Sequence, residues 1–347
     1  LALDSPRLPG FVLGPQNRWP NRMRSPPSLA IYHEHPDWFR PLFAALDRRG
    51  IAYVRVDAHA PFFYDPAAQE RPCRVLFNRM SPSAYLRGGG SAILHTLNYL
   101  AHLERLGVRV VNGHRAFGYE VSKALQLTLL AELGLPAPAS RVIHRGADAP
   151  AAARELRFPV VVKANVGGSG AGIARFECIE DLQAAADSGS IELGLDDIAL
   201  VQEFIPARDG HITRVETLGG KYLYAIDVYP EAGSFDLCPA DACQTRDGAP
   251  LARSLASACA VDAPKRGLRV EATTPDAGVI AACERIAQAA RIDVGGIESM
   301  IDDRDGQRVY YDINALSNFV ADAPKVIGFD PHERLVDFLA ATIEGES

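Results

Sequence analysis

Apolar positions along this chain alternate between a period of two and a period near 3.6, and the switches mark its elements. Residues 28–35 (SLAIYHEH) read as a strand. Residues 37–50 (DWFRPLFAALDRRG) read as a helix, with Phe39, Leu42, Phe43 and Leu46 on one face and Gly50 as its stop. Segments 51–58 and 74–81 are further strands, 91–107 is a long amphipathic helix, and 108–113 is a short strand. Strand–helix–strand repetition with short turns predicts a small parallel α/β domain over residues 28–114.

The remainder mixes hairpins with helices. A helix is predicted from about Tyr119 to Leu133, stopped by Gly134, then a strand at 141–144 and a helical stretch at 146–157. The segment FPVVVKANVGGSGAGIARF (158–176) is a strand ending in Lys163, a glycine-rich loop, and a second strand. A helix at 179–189 and a strand at 197–206 follow. Residues 211–230 read as a β-hairpin turning at Gly219-Gly220. Residues 231–275 carry the weakest pattern. A helix at 276–293, a hairpin at 294–316 turning at Asp305-Gly306, and a helix at 331–345 complete the chain.

Composition adds bounds. The 347 residues suffice for two or three domains, and 48% hydrophobic with 23% charged residues is ordinary for a soluble protein. A net charge of -7 argues against a general nucleic-acid or anionic-membrane binder. No apolar run approaches the ~20 residues that span a bilayer. The Pro- and Arg-rich segment 1–27 reads as an N-terminal arm. Cysteines at 73, 178, 238, 243, 259 and 283 form no pair of Cys-x-x-Cys motifs, so reduced thiols in a cytoplasmic protein are expected rather than zinc.

Two groups of residues suggest chemistry. Lys163 closes an apolar strand, where its ammonium must snorkel or meet an anion. Gly167, Gly168, Gly170 and Gly172, with Ser169, would let backbone amides approach phosphate oxygens. The lysine precedes the loop, the reverse of a phosphate loop that opens a helix. The second group lies in the last hairpin. Asp312 and Asn314, two apart on a strand, share a face, and Glu298 lies on the partner strand. Two carboxylates and an amide oxygen suit Mg²⁺. Asp302, Asp303 and Asp305 read as a solvated hairpin face.

The order Lys123, Lys163 with its glycine loop, Gln202-Glu203-Phe204-Ile205, Arg214, Glu298 and Asp312-x-Asn314 resembles the ATP-grasp superfamily over about residues 115–345. It is most similar to the ribosomal-protein glutamate ligases and their carboxylate–amine ligase relatives. The resemblance implies an α/β N-terminal domain followed by a two-subdomain, α+β ATP-grasp fold, divided at 115–197 and 198–347. It implies that Lys123, Lys163, Gly168, Ser169 and Gly170 hold nucleotide phosphates. Gln202, Glu203, Phe204 and Ile205 would line the adenine. Arg214 would act near the transferred phosphoryl group, and Glu298, Asp312 and Asn314 would hold Mg²⁺, with Mn²⁺ as an alternative. Departures are visible. The family's Asp two residues before the arginine is Ile212 here, its substrate strand is replaced by SFDLCPADACQ, and its Pro-Gly after the metal-binding Asn becomes ALSNF.

The implied reaction is ATP-dependent joining of a small-molecule carboxylate to an amine through an acylphosphate, with Arg214 and Lys163 as catalytic cations. Arg79, Ser81 and Arg87, at the end of a strand in the first domain, are candidates for the substrate carboxylate. Asp241 and Arg269 in the weakly patterned segment are candidates for the substrate pocket, and a surface used in homo-oligomer contacts is the alternative there. A kinase that stops at phosphoryl transfer and a nucleotide-binding regulatory protein are the other classes this pattern leaves open.

Overall fold

In the computed structural model, the structure describes residues 26–167, 173–229 and 269–345. Strands β1 (Leu29–His33), β2 (Val54–Asp57), β3 (Val75–Arg79) and β4 (Arg109–Val111) form a parallel sheet in the order β2-β1-β3-β4. All five residues of β1 are buried, because helices cover both sheet faces. Leu29 and Ile31 face the core that takes Leu42, Phe43 and Leu46 of α1 (Arg40–Arg48). Ala30 and Tyr32 face the opposite core, with Ile93, Tyr99 and Leu100 of α2 (Gly90–Arg105). The expected parallel α/β domain is present.

Helices α3 (His114–Glu120) and α4 (Lys123–Glu132) follow. The single helix expected over 119–133 is broken at Val121-Ser122. Ser122 has extended backbone angles, and its Oγ accepts from Leu125 N at 3.2 Å, so the N-cap wins over helix continuation. The helix expected over 146–157 shortens to α5 (Ala149–Ala153), since the chain must leave helical geometry before Pro159.

Strands β5 (Ser140–Ile143), β6 (Val160–Ala164), β7 (Ala174–Phe176) and β8 (Ala199–Glu203) form an antiparallel sheet in the order β5-β8-β6-β7, with α6 (Ile179–Asp187) against it. The boundary drawn at 197/198 therefore falls before a strand of this sheet. The chain passes to the next sheet only between Glu203 and Ile212.

That sheet contains β9 (Ile212–Leu218), β10 (Lys221–Tyr229), β11 (Arg269–Thr273), β12 (Val294–Ile301) and β13 (Arg308–Asn314), in the order β11-β10-β9-β12-β13 and antiparallel throughout. Gly219 and Gly220 both have positive φ, as a two-residue hairpin turn of this kind requires. One face packs on α7 (Ala277–Ala290) through Val215, Ala225, Ile297 and Ile313. The other shares a core with the α1 side of the first domain and with Leu335, Val336 and Leu339 of α9 (Pro331–Gly345). A short helix α8 (Ala323–Val326) lies between β13 and α9.

Asn112 joins the first domain to this sheet. It sits just after β4 with φ 53° and is buried. Its Oδ1 accepts from the amides of Asp293 (2.8 Å) and Val294 (3.0 Å). Its Nδ2 donates to the carbonyls of Val294 (2.7 Å) and Ala315 (2.5 Å). The sequence pattern placed Asn112 only at the end of the short strand 108–113. Replacement of Asn112 by Ala would strand four backbone groups. It is expected to lower stability to urea by about 3 kcal/mol, against under about 0.5 kcal/mol for the exposed control Asn98→Ala. Equal midpoint shifts for the two variants would contradict this role.

Candidate active site

Three directly opposed residues form a row across the C-terminal sheet. Arg214 on β9 stands opposite Glu298 on β12, and Glu298 stands opposite Asp312 on β13. Arg214 Nη1 donates to Glu298 Oε1 at 2.6 Å, and Lys123 Nζ, from the first turn of α4, donates to Asp312 Oδ1 at 2.7 Å. Asn314, next on the same face, donates to Asp312 Oδ2 at 3.3 Å and to Gly296 O at 3.4 Å. Gly296 makes room for the row. A Cβ there would lie 2.4–2.8 Å from three atoms of the Arg214 guanidinium.

A β-bulge shapes this face. Glu298 pairs with Asp312 but Ser299 pairs with Tyr310, so Tyr311 is the extra residue. Tyr311 therefore turns to the site, and its hydroxyl donates to Glu298 Oε2 at 2.8 Å. Strict alternation would have sent it to the other face, so nothing in the sequence pattern marked it.

Lys163 is the next-to-last residue of β6 and is almost fully buried. Burial, then the neighbouring Lys123, lower its pKa to about 7, although Asp312 and Glu298 act the other way. Burial alone would raise the Asp312 carboxyl, but Lys123, with Lys163 and Arg214, outweighs it and holds Asp312 below the usual range. Burial raises Glu298, with Asp312 adding to it and Arg214 opposing.

The row is held in place by side chains the sequence did not single out. β13 is an edge strand, and α3 and α4 take the place of its missing neighbour. Gln126 accepts from Ile313 N at 3.1 Å and donates to Ile313 O at 2.9 Å. Glu120 accepts from the amides of Ala315 and Leu316. Asn165, just after β6, accepts from Ala124 N at 2.9 Å and from Ser122 Oγ at 3.2 Å, so the Lys163 strand is fastened to the helix start that carries Lys123.

Other expected site residues lie as follows. Gln202 is buried and donates to Ser140 Oγ at 2.8 Å. Glu203 accepts from Arg157 N at 2.9 Å and pairs with Arg304 at 3.1 Å. The Arg175 guanidinium covers the Phe204 ring at 4.2 Å, and Ile205 is in the core. Arg79 is close to the row. It donates to Ser317 O at 2.5 Å and Asn318 Oδ1 at 2.7 Å, while Arg214 Nη2 reaches Ser317 Oγ at 3.4 Å. Ser81 instead caps the turn Pro82–Arg87, accepting from Ser83 N at 3.1 Å. Arg87 is engaged by Glu34 at 2.6 and 2.8 Å. Arg269 is on β11, two strands from Arg214, exposed, with its guanidinium over Tyr229 at 3.6 Å. The structure does not bring it into the row. Gly168, Ser169, Gly170 and Asp241 lie outside the described residues. Asp302 corrects the solvated-face expectation. It is buried and pairs with Arg304 at 2.6 Å.

The oxygens of Glu298, Asp312 and Asn314 are a hard donor set of the kind Mg²⁺ accepts together with phosphates. Adjacent strands hold the two carboxylates side by side, so the residues fit such an ion. No cluster of three His, Cys, Asp or Glu residues suited to a metal occurs among the described residues, so phosphate or water oxygens would complete the shell.

Residues 121–237 match the RimK-like ATP-grasp domain family. The chain is 28% identical over 212 residues to a D-alanine–D-alanine ligase of Aromatoleum aromaticum, covering 57% of this chain and 63% of that protein. It is 26% identical over 202 residues to a probable alpha-L-glutamate ligase of Thioalkalivibrio sulfidiphilus, covering 54% and 65%. The matched stretch thus spans less than two thirds of either relative. Among solved structures, the ATP-grasp ligase PsnB with its minimal precursor superposes with a TM-score of 0.61 at 19% identity, over 91% of this chain and 98% of that one. The fold of this chain is the ATP-grasp fold. No described helix is long and apolar enough to cross a membrane.

The low pKa of Lys163 gives a signed prediction. At about pH 8 the lysine is mostly neutral, and polyphosphate favours its charged form, raising the pKa. Binding of MgADP should therefore take up close to one proton at about pH 8 and little at about pH 6. Calorimetric titrations in buffers of different ionisation enthalpy measure this, and no uptake at the higher pH would contradict it.

Proposed function

From the RimK-like ATP-grasp match and the ATP-grasp fold, we propose that this chain is an ATP-dependent carboxylate–amine ligase. The observation that carries the reading is the buried row Arg214–Glu298–Asp312 with Lys123 and Lys163 beside it. In this reading ATP transfers its γ-phosphoryl group to a substrate carboxylate. The amine then displaces phosphate from the acylphosphate, leaving an amide, ADP and phosphate. The protein contributes position and charge rather than a covalent intermediate.

Lys123 and Lys163 would bind phosphate oxygens. Lys123 pairs with Asp312 at 2.7 Å, so a phosphate bound by this lysine would lie beside that carboxylate. Glu298, Asp312 and Asn314 would hold Mg²⁺, which offsets phosphate charge when bound. Arg214 would stabilise charge on the transferring group, kept in place by Glu298 on one side and Glu216 on the other (2.6 Å each). Arg79, linked to Arg214 through Ser317, would receive the substrate carboxylate. The curated relatives supply the class: their names describe joining of amino acids, D-alanine to D-alanine in one and L-glutamate in the other.

Incubation with ATP, Mg²⁺ and paired amino acids should release ADP and give a product with the mass of an amide. Asp312→Asn should lower kcat/KM by at least about 100-fold while the protein stays folded. ADP release with a phosphorylated product and no amide would instead assign a kinase. Full activity in excess chelator would remove the metal assignment.

A further inference from the structure

Glu216 lies two residues along β9 from Arg214, on the same strand face, and is 1% exposed. Its Oε1 accepts from Arg214 Nε at 2.6 Å. Its Oε2 is buried and has no hydrogen-bond partner. A buried carboxylate oxygen without a donor is unfavourable, and an orphan of this kind marks the place of a missing donor.

The neighbours restrict what that donor is. Arg214 fills the Oε1 side, lying over Gly296. Across the sheet, Tyr224 stands opposite Glu216, and its hydroxyl accepts from Val320 N at 2.9 Å. Arg214 also serves Glu298, so one guanidinium stands between two buried carboxylates. A second cation would complete the alternation of charge, which favours a charged donor over water. The resembled family has an Asp two residues before this arginine. Here that position is Ile212, buried in the apolar core, and the flanking carboxylate stands two residues after it instead.

We propose that Glu216 binds the ammonium group of the amine substrate and takes its proton. This rests on the ligase reading above. The substrate R–NH₃⁺ gives one proton to the Glu216 carboxylate. The freed lone pair forms the C–N bond at the acylphosphate carbonyl carbon, and the C–O bond to phosphate breaks. The second nitrogen proton leaves on the phosphate as HPO₄²⁻, and Glu216 returns its proton to solvent. The acceptor class is thus an amine that arrives as a cation. An alcohol, which brings no charge, gains little at this site.

Binding is tested with methylammonium chloride, using tetramethylammonium and sodium chloride at equal ionic strength as controls, with and without MgADP. Methylammonium should raise the thermal midpoint of the wild type, and tetramethylammonium should not. Glu216→Gln should need at least about ten-fold more methylammonium for the same shift, and Glu216→Asp should keep the response. A wild type that does not distinguish the two cations, or a Glu216→Gln variant that responds like wild type, overturns the proposal. Catalysis is tested by competing an amino acid against hydroxylamine, which is uncharged near neutral pH and needs no base. The ratio of amide to hydroxamate should fall at least about ten-fold in Glu216→Gln. An equal fall in both products would make Glu216 a support for Arg214 only and overturn its role as base. Absence of hydroxamate from every wild-type incubation would overturn the ligase reading, while the methylammonium result would still decide Glu216.

Discussion

The structure depends on the mutual neutralisation of charges that are buried together. Lys123 and Arg214 pair with Asp312, Glu298 and Glu216 in and beside one row of the C-terminal sheet, and Lys163 lies near enough to feel Asp312 and Glu298. Taking any one of these groups out of water is unfavourable, and an unpaired partner left behind is worse. The arrangement is therefore tolerable only while the charges stay in contact. That requirement explains the glycine at 296, which lets the guanidinium lie flat against the sheet. It also fits the lowered pKa of Lys163, which among the described residues makes no hydrogen bond or ion pair to a carboxylate. A metal-bound polyphosphate would give the two lysines the anion their position favours.

Rigid placement comes from outside the row. Among the described residues β13 has no strand on its outer side, and an unpaired edge would let Asp312 and Asn314 shift. Gln126 and Glu120 satisfy its backbone from the helical side, and Asn112 holds both β12 and the chain just after β13 from the first domain. Glu120 is buried, and burial, with repulsion from Asp312, raises its pKa to about 7. The two ATP-grasp sheets are also joined directly, since Arg304 of the last hairpin pairs with Glu203 at the end of β8. The first domain, the lysine strand and the carboxylate strands are thereby fixed relative to one another.

Much of this was legible from local pattern. Alternation in YYDIN put Asp312 and Asn314 on one face, and the apolar run before Lys163 marked a lysine with a special environment. What stayed hidden depends on partners distant in the chain. A bulge cannot be read from alternation, so Tyr311 was missed. Asp302 was misplaced on a solvated face, whereas it is buried beside Arg304 and bridges to the distant Ala207. The break at Ser122 follows from a cap and from Asn165, which is far along the chain. Glu216 sits in an otherwise ordinary strand, and only its burial and its open oxygen set it apart. Arg269 failed in the opposite way. Position in sequence suggested nearness to Arg214, but the sheet order carried it to the far edge.

On the proposed reading, Lys163 is kept buried for the sake of an anion and against the stability of the protein without one. Lys163→Met separates the two effects, because stability and anion affinity should change in opposite directions. Methionine removes a buried cation whose pKa is already lowered, so the nucleotide-free thermal midpoint should rise, corresponding to about 1 kcal/mol or more. The affinity for MgADP, measured by calorimetry on the same preparation, should fall at least about ten-fold. A lowered midpoint together with unchanged MgADP affinity would show that Lys163 is a structural partner of the carboxylates and not a phosphate ligand.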